Sequence, residues 1–178
     1  MDEKKQWFVM RDLHRGASAK YMYEELASRG FETYTPTVKI PVKRKLNTVI
    51  VERPYIRDLF FLHTIRSVIE PLITSYSGFQ YRYRLGVSPP APLIVPDKAM
   101  DDFIRVNRDA DSPSFIPSED IPMDSRNRRI RVIGGPLDGV EGLLKTVRGS
   151  KFKTLYVELP GVMAVSVVCQ FEYIQLLD

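Results

Sequence analysis

The sequence predicts an α+β protein in two parts: an N-terminal antiparallel sheet with flanking helices, then a small all-β barrel. Three observations carry this. Strand-length apolar runs alternate with helical spacings as far as residue 108. An acidic, proline-containing stretch interrupts the chain at 109–125. Almost everything after it is β-branched and punctuated by glycine. The 178 residues have room for one mid-sized domain or two small ones. A content of 44% hydrophobic and 27% charged residues is ordinary for a globular chain with a core.

The elements follow in order. "QWFVMRDL" reads as a strand. In "SAKYMYEELASRG", Ala19, Met22, Leu26 and Ala27 recur at helical spacing, and Gly30 stands where the left-handed residue after a helix belongs. "FETYTPTVKIPV" and "NTVIVERPYI" read as strands joined by the basic turn "KRKLN". "LFFLHT" is a buried strand, "SVIEPLITSY" a helix disturbed by Pro71, and "FQYRYRLG" a strand alternating ring and base. "VPDKAMDDFIRV" is a helix with acids in its first turn, where the helix dipole favours them. The first domain, 1–108, is expected to run β-α-β-β-β-α-β-α. The stretch "DADSPSFIPSEDIPMDS", 109–125, has three prolines, five acids and no base. Lost backbone donors and like-charge repulsion predict a linker. "RIRVIGG", "EGLLKTVRG", "TLYVELPG" and "VMAVSVVCQFEYIQLL" then read as the strands of a second domain, 126–178.

Net charge is +4 overall, divided as +6 over 1–108, −5 over 109–125 and +3 thereafter. Mildly basic surfaces suit exposed phosphates or an acidic protein. No apolar run approaches the roughly 20 residues of a membrane helix. "MDEKKQWFVM" lacks the apolar stretch of a secretory signal, and a lone Cys169 leaves no intramolecular disulfide. A cytoplasmic protein that engages no membrane is expected. Catalysis has little support. His14 and His63 stand at no metal-ligand spacing with Cys169, which reads as a small core hydrophobe in "SVVCQFEY". The adjacent pairs Glu24–Glu25 and Asp101–Asp102 diverge on their helices. No catalytic residue, metal or cofactor is expected, so the chain is read as a non-enzyme.

"RVIGGPLDGVEG" tests one alternative. A phosphate-binding loop needs Gly-Lys-Ser or Gly-Lys-Thr opening a helix. Here Gly134, Gly135, Gly139 and Gly142 lead into a strand. They are expected to turn a hairpin and let backbones approach closely, with Asp138-Gly139 as the turn dipeptide. Six bases, Lys39, Lys43, Arg44, Lys45, Arg53 and Arg57, cluster around the first predicted hairpin. They suit weak, phosphate-driven contact with DNA or RNA, and equally a solvated hairpin tip.

"RIRVIGGPLDGVEGLLKTV" resembles a KOW motif, as found in ribosomal proteins, in Spt5 and in NusG. "QWFVMR" resembles the Trp-Tyr-Val-Val opening of the NusG N-terminal domain. "RPYIRDLFFL" resembles the family strand Pro-Leu-Phe-Pro-Gly-Tyr-Val-Phe-Val: Pro54 matches the first proline, Ile56 stands at the Phe, Leu59 at the Tyr and Phe61 at the second aromatic. Arg57, Asp58 and Leu59 depart from the pattern, as suits a specialised paralogue of the UpxY type, the capsule-operon antiterminators. The resemblance, to the NusG/RfaH/Spt5 family of transcription elongation factors, covers nearly the whole chain. It implies a NusG-type N-terminal domain, an SH3-like KOW barrel, and a monomer that binds RNA polymerase and promotes readthrough of an operon. The tip of the β′ clamp helices would enter a hollow of Phe8, Ile56, Leu59 and Phe61, with Tyr21 and Tyr23 on the neighbouring helix, and the domain would reach the β subunit. NusE or Rho would bind the KOW domain. The alternatives are the housekeeping NusG role, which recruits Rho, and a ribosome- or RNA-binding KOW protein.

Overall fold

A computed structural model describes residues 3–14, 20–170 and 173–177. The chain is mixed α+β, with antiparallel sheets and three α-helices among the described residues. It divides into two compact units, Met1–Val95 and Pro96–Asp178.

The first unit is built on β1 (Gln6–Asp12), β2 (Glu32–Tyr34), β5 (Leu59–Thr64) and β6 (Phe79–Tyr81), in the order β2-β5-β1-β6, with β7 (Ile94–Val95) also paired to β1. Helices α1 (Met22–Ser28) and α2 (Arg66–Tyr76) pack on one face. Phe8 and Met10 of β1 pair with Leu62 and Phe60 of β5, so these four share that face. They join Met22, Leu26, Ile69 and Phe79 in one buried cluster. Each such large side chain removed from water is worth about 2–3 kcal/mol. Of the residues read at helical spacing, Met22 and Leu26 are buried, Ala27 is exposed, and Ala19 lies outside the described residues. Gly30 ends α1 at φ 88°, with Gly30 N–H donating to Ala27 O and Phe31 N–H to Leu26 O, a Schellman closure. Helix α2 runs through Pro71.

Strands β3 (Thr37–Arg44) and β4 (Asn47–Pro54) form a separate two-stranded sheet. Eight residues per strand span about 25 Å. Lys45 takes a positive φ at the turn.

The second unit holds α3 (Asp97–Asp109) and six strands, β8 (Ser114–Pro117), β9 (Arg129–Ile133), β10 (Glu141–Thr146), β11 (Lys153–Leu159), β12 (Met163–Cys169) and β13 (Tyr173–Leu176). Their order is β13-β9-β10-β11-β12-β8. Three expectations are corrected here. The sheet is open among the described residues, because β8 occupies the edge of β12 that closure of a barrel would need. The stretch 109–125 is not a free linker: it contains β8 and two 3₁₀ turns, Ser118–Asp120 and Met123–Ser125. Ile116 and Ile121 pack with Tyr156 and Ala164, and Phe115 stacks on Phe103, so apolar contact outweighs the acids and prolines. Prolines are tolerated at Pro113 and Pro117 because β8 is an edge strand. Finally, α3 belongs to the second unit rather than closing the first. Lys98 Nζ donates to Asp102 and to the Gly139 carbonyl (2.9 Å), and Asp102 accepts the Glu141 N–H.

Candidate functional site

The first predicted site, the apolar hollow, does not assemble as expected. Phe8 pairs with Leu62, whereas Phe61 pairs with Val9 and Leu59 with Arg11. Successive residues of a strand face opposite sides, so Phe8 points away from Leu59 and Phe61. Phe8 and Phe61 are 0% exposed and Leu59 is 1% exposed. Phe61 also lies against Tyr34, with ring centroids 6.3 Å apart. These three are core positions, not an open cleft. Ile56, in the turn before β5, is half-buried, and its carbonyl accepts the Leu59 N–H. Tyr21 and Tyr23 are half-buried at the start of α1, their rings stacked at 5.5 Å. Burial and the neighbouring Glu24 push the Tyr23 phenol up to about 12.

Asp58, which departs from the strand pattern the sequence resembles, has a local account. Its carboxylate accepts from Arg11 Nε (3.1 Å) and from Arg82 (3.0 Å), tying β1 to the segment after β6. A glycine could make neither bond. Of the "YRYR" alternation, Tyr81 is buried and Tyr83 is half exposed.

The bases of the second predicted site are brought together at the surface. Lys39, Lys43, Arg44, Lys45 and Arg53 all lie on the β3–β4 hairpin and are exposed. Arg57 follows in the next turn and is exposed too. Between Thr37 and Pro54 there are five bases and one acid, Glu52. Cross-strand pairing puts Lys39 and Lys43 on one face with Thr48 and Ile50, and Arg44 and Arg53 on the other with Val42 and Val49. Leu46, at the tip, is 96% exposed. The hairpin thus presents positive charge on both faces of a narrow two-stranded ribbon. Such a ribbon can approach phosphates from either side.

The glycine turn has a structural account. Gly134, Gly135 and Gly139 take φ of 81°, 73° and 80°, conformations that L side chains rarely adopt. At Gly142 the reason is proximity, since a Cβ there would stand 2.5 Å from the Tyr156 carbonyl. Arg105 of α3 donates to the Pro136 and Asp138 carbonyls of the same turn.

The histidines and the cysteine weighed for catalysis have these surroundings. His14 and the helix N–H of Met22 share the Asp12 carboxylate. His63 stacks on Trp7 at 4.6 Å and meets Glu32 at 2.6 Å. Burial pushes the Cys169 thiol up to about 11, which suppresses the thiolate. Among the described residues no group of three or more His, Cys, Asp or Glu side chains could hold a metal ion. No described helix is long and apolar enough to cross a membrane.

A second basic cluster escaped the sequence reading: Lys145, Arg148, Lys151 and Lys153 around the β10–β11 turn. Its signal was available as four bases without an acid in nine residues. No family model matches the chain, and no curated protein matches it.

Proposed function

We propose that this chain is a transcription elongation and antitermination factor of the NusG type, which binds RNA polymerase and promotes readthrough of an operon. The observation that carries the reading is the exposed, five-base β3–β4 hairpin beside a compact sheet domain. In this reading the hairpin contacts phosphates of the DNA while the sheet of the same unit holds polymerase. With Phe8, Leu59 and Phe61 buried, the contact with the β′ clamp helices falls to Tyr21, Tyr23 and Ile56, which keep exposed surface. The KOW-like sequence of the second unit supports a further partner there, NusE or Rho.

Affinity capture of the tagged chain, followed by a readthrough assay with purified polymerase, tests this. Polymerase subunits are expected in the eluate. Replacing Lys43, Arg44 and Lys45 with Glu should weaken association with a DNA-loaded polymerase at least tenfold at low salt. It should also flatten the slope of log affinity against log salt by about 2 to 3. Rho in the eluate supports the housekeeping role, and ribosomal RNA supports the KOW alternative. Capture without polymerase overturns the proposal.

A further inference from the structure

The β10–β11 turn combines charge with an open aromatic surface. From Lys145 to Lys153 the chain holds four bases and no acid. Arg148 and Lys151 are exposed at the tip. Between Lys151 and Lys153, Phe152 is 58% exposed. Its position is not that of a stray surface ring. Phe152 lines a cleft of about 460 Å³ together with Val132, Gly134, Val167 and Cys169. That volume falls within the roughly 300–1,000 Å³ of sites that enclose small ligands. Lys153 follows Phe152 directly and pairs across from Cys169, which lines the cleft. Asp109 and Asp111 line the cleft as well. Asp109 is engaged by Arg108, 2.6 Å away.

A flat apolar ring beside a run of bases sets two demands on a ligand. It must offer phosphates or carboxylates to the bases, and a π face to the ring. Duplex nucleic acid offers phosphates but keeps its bases stacked inside. An acidic peptide offers charge but no periodic planar group. Single-stranded nucleic acid offers both, and base–aromatic stacking is indifferent to sequence. With the bases at the turn, the backbone would follow the tip while a base enters the cleft.

We propose that the β10–β11 turn and its cleft form a contact site for single-stranded nucleic acid. Arg148, Lys151 and Lys153 hold phosphates, and one base stacks on Phe152. The site lies in the second unit and does not depend on the reading of the first.

The test uses the full chain carrying Lys43→Glu, Arg44→Glu and Lys45→Glu, which removes the charge of the first hairpin tip. Fluorescence anisotropy then follows binding of labelled oligothymidylate and oligouridylate at low salt. Binding should persist in this background. Adding Phe152→Ala should weaken it about tenfold, while Phe152→Trp preserves it. Adding Arg148→Ala and Lys151→Ala should reduce the salt slope by about 1.4. Unchanged affinity in Phe152→Ala overturns the proposal. So does equal affinity for a duplex of the same length, equal competition by polyglutamate, or loss of all binding in the background chain.

Discussion

At the scale of single residues, helix α1 begins at Met22 without a capping side chain of its own. The cap comes from Asp12, ten positions upstream on β1. Its carboxylate accepts the Met22 N–H at 2.8 Å and the His14 N–H at 2.9 Å, and it also meets the His14 ring. Asp12 is 7% exposed, so its removal would strand the buried Met22 N–H. Asp12→Ala is therefore expected to cost about 2–3 kcal/mol, read as a lowered midpoint in thermal or urea unfolding. A midpoint unchanged from the parent chain would refute the cap. This residue was not legible locally, because a capping signal is sought at the helix start and Tyr21 stands there. Gly30 was legible, because its role depends only on its own φ. Gly78 was not: its φ is ordinary for any residue, yet a Cβ there would lie 2.3 Å from the His14 ring.

At the scale of elements, periodicity predicted most strands and all three helices. The β3–β4 hairpin was legible because two alternating runs flank a short basic turn. What periodicity could not tell was which face of β1 meets which face of β5. Phe8 and Phe61 both sit in buried runs, and a shift of one residue exchanges the faces. The hollow failed on that point. Strand β8 was hidden for another reason: acids and prolines dominate its neighbourhood, and only its pairing with β12 makes it a strand. Between β9 and β10, Arg131 and Arg129 both bond Glu141, and the Arg131 bond foremost holds the Glu141 carboxyl below its ordinary value of 4.5. A depressed carboxylate contributes stability above its unfolded value, and that contribution is lost as pH falls through the folded one. Glu141→Gln should thus lose about 1 kcal/mol at neutral pH. Its unfolding midpoint should also decline less steeply than the parent's below pH 4.5. Parallel acid limbs in the two chains would remove Glu141 from the account.

At the scale of the whole molecule, two units were legible from composition, but their boundary was not. Charge and proline content pointed to 109–125, whereas the compact units divide after Val95. Helix α3 buries Met100, Phe103 and Val106, and its Asp102 takes the N–H of Glu141 in the second sheet. A fragment spanning 96–178 is expected to melt as one cooperative unit, monitored by circular dichroism. A fragment spanning 126–178, lacking α3 and β8, should melt at a distinctly lower temperature or fail to fold. Equal melting of the two fragments would return 109–125 to the status of a tether.

The pairing of β8 with β12 also sets an order in time. Ser166 donates to the carbonyl of Ser114, 52 positions earlier in the chain. Strand β13 must still arrive to pair with β9. The first sheet needs nothing beyond Val95, where β7 meets β1. During synthesis the first unit can fold while the second is still inside the ribosome, and the second must wait for its final strand. Pairing between strands so far apart in sequence is slow to form, so the first unit is expected to become native before the second.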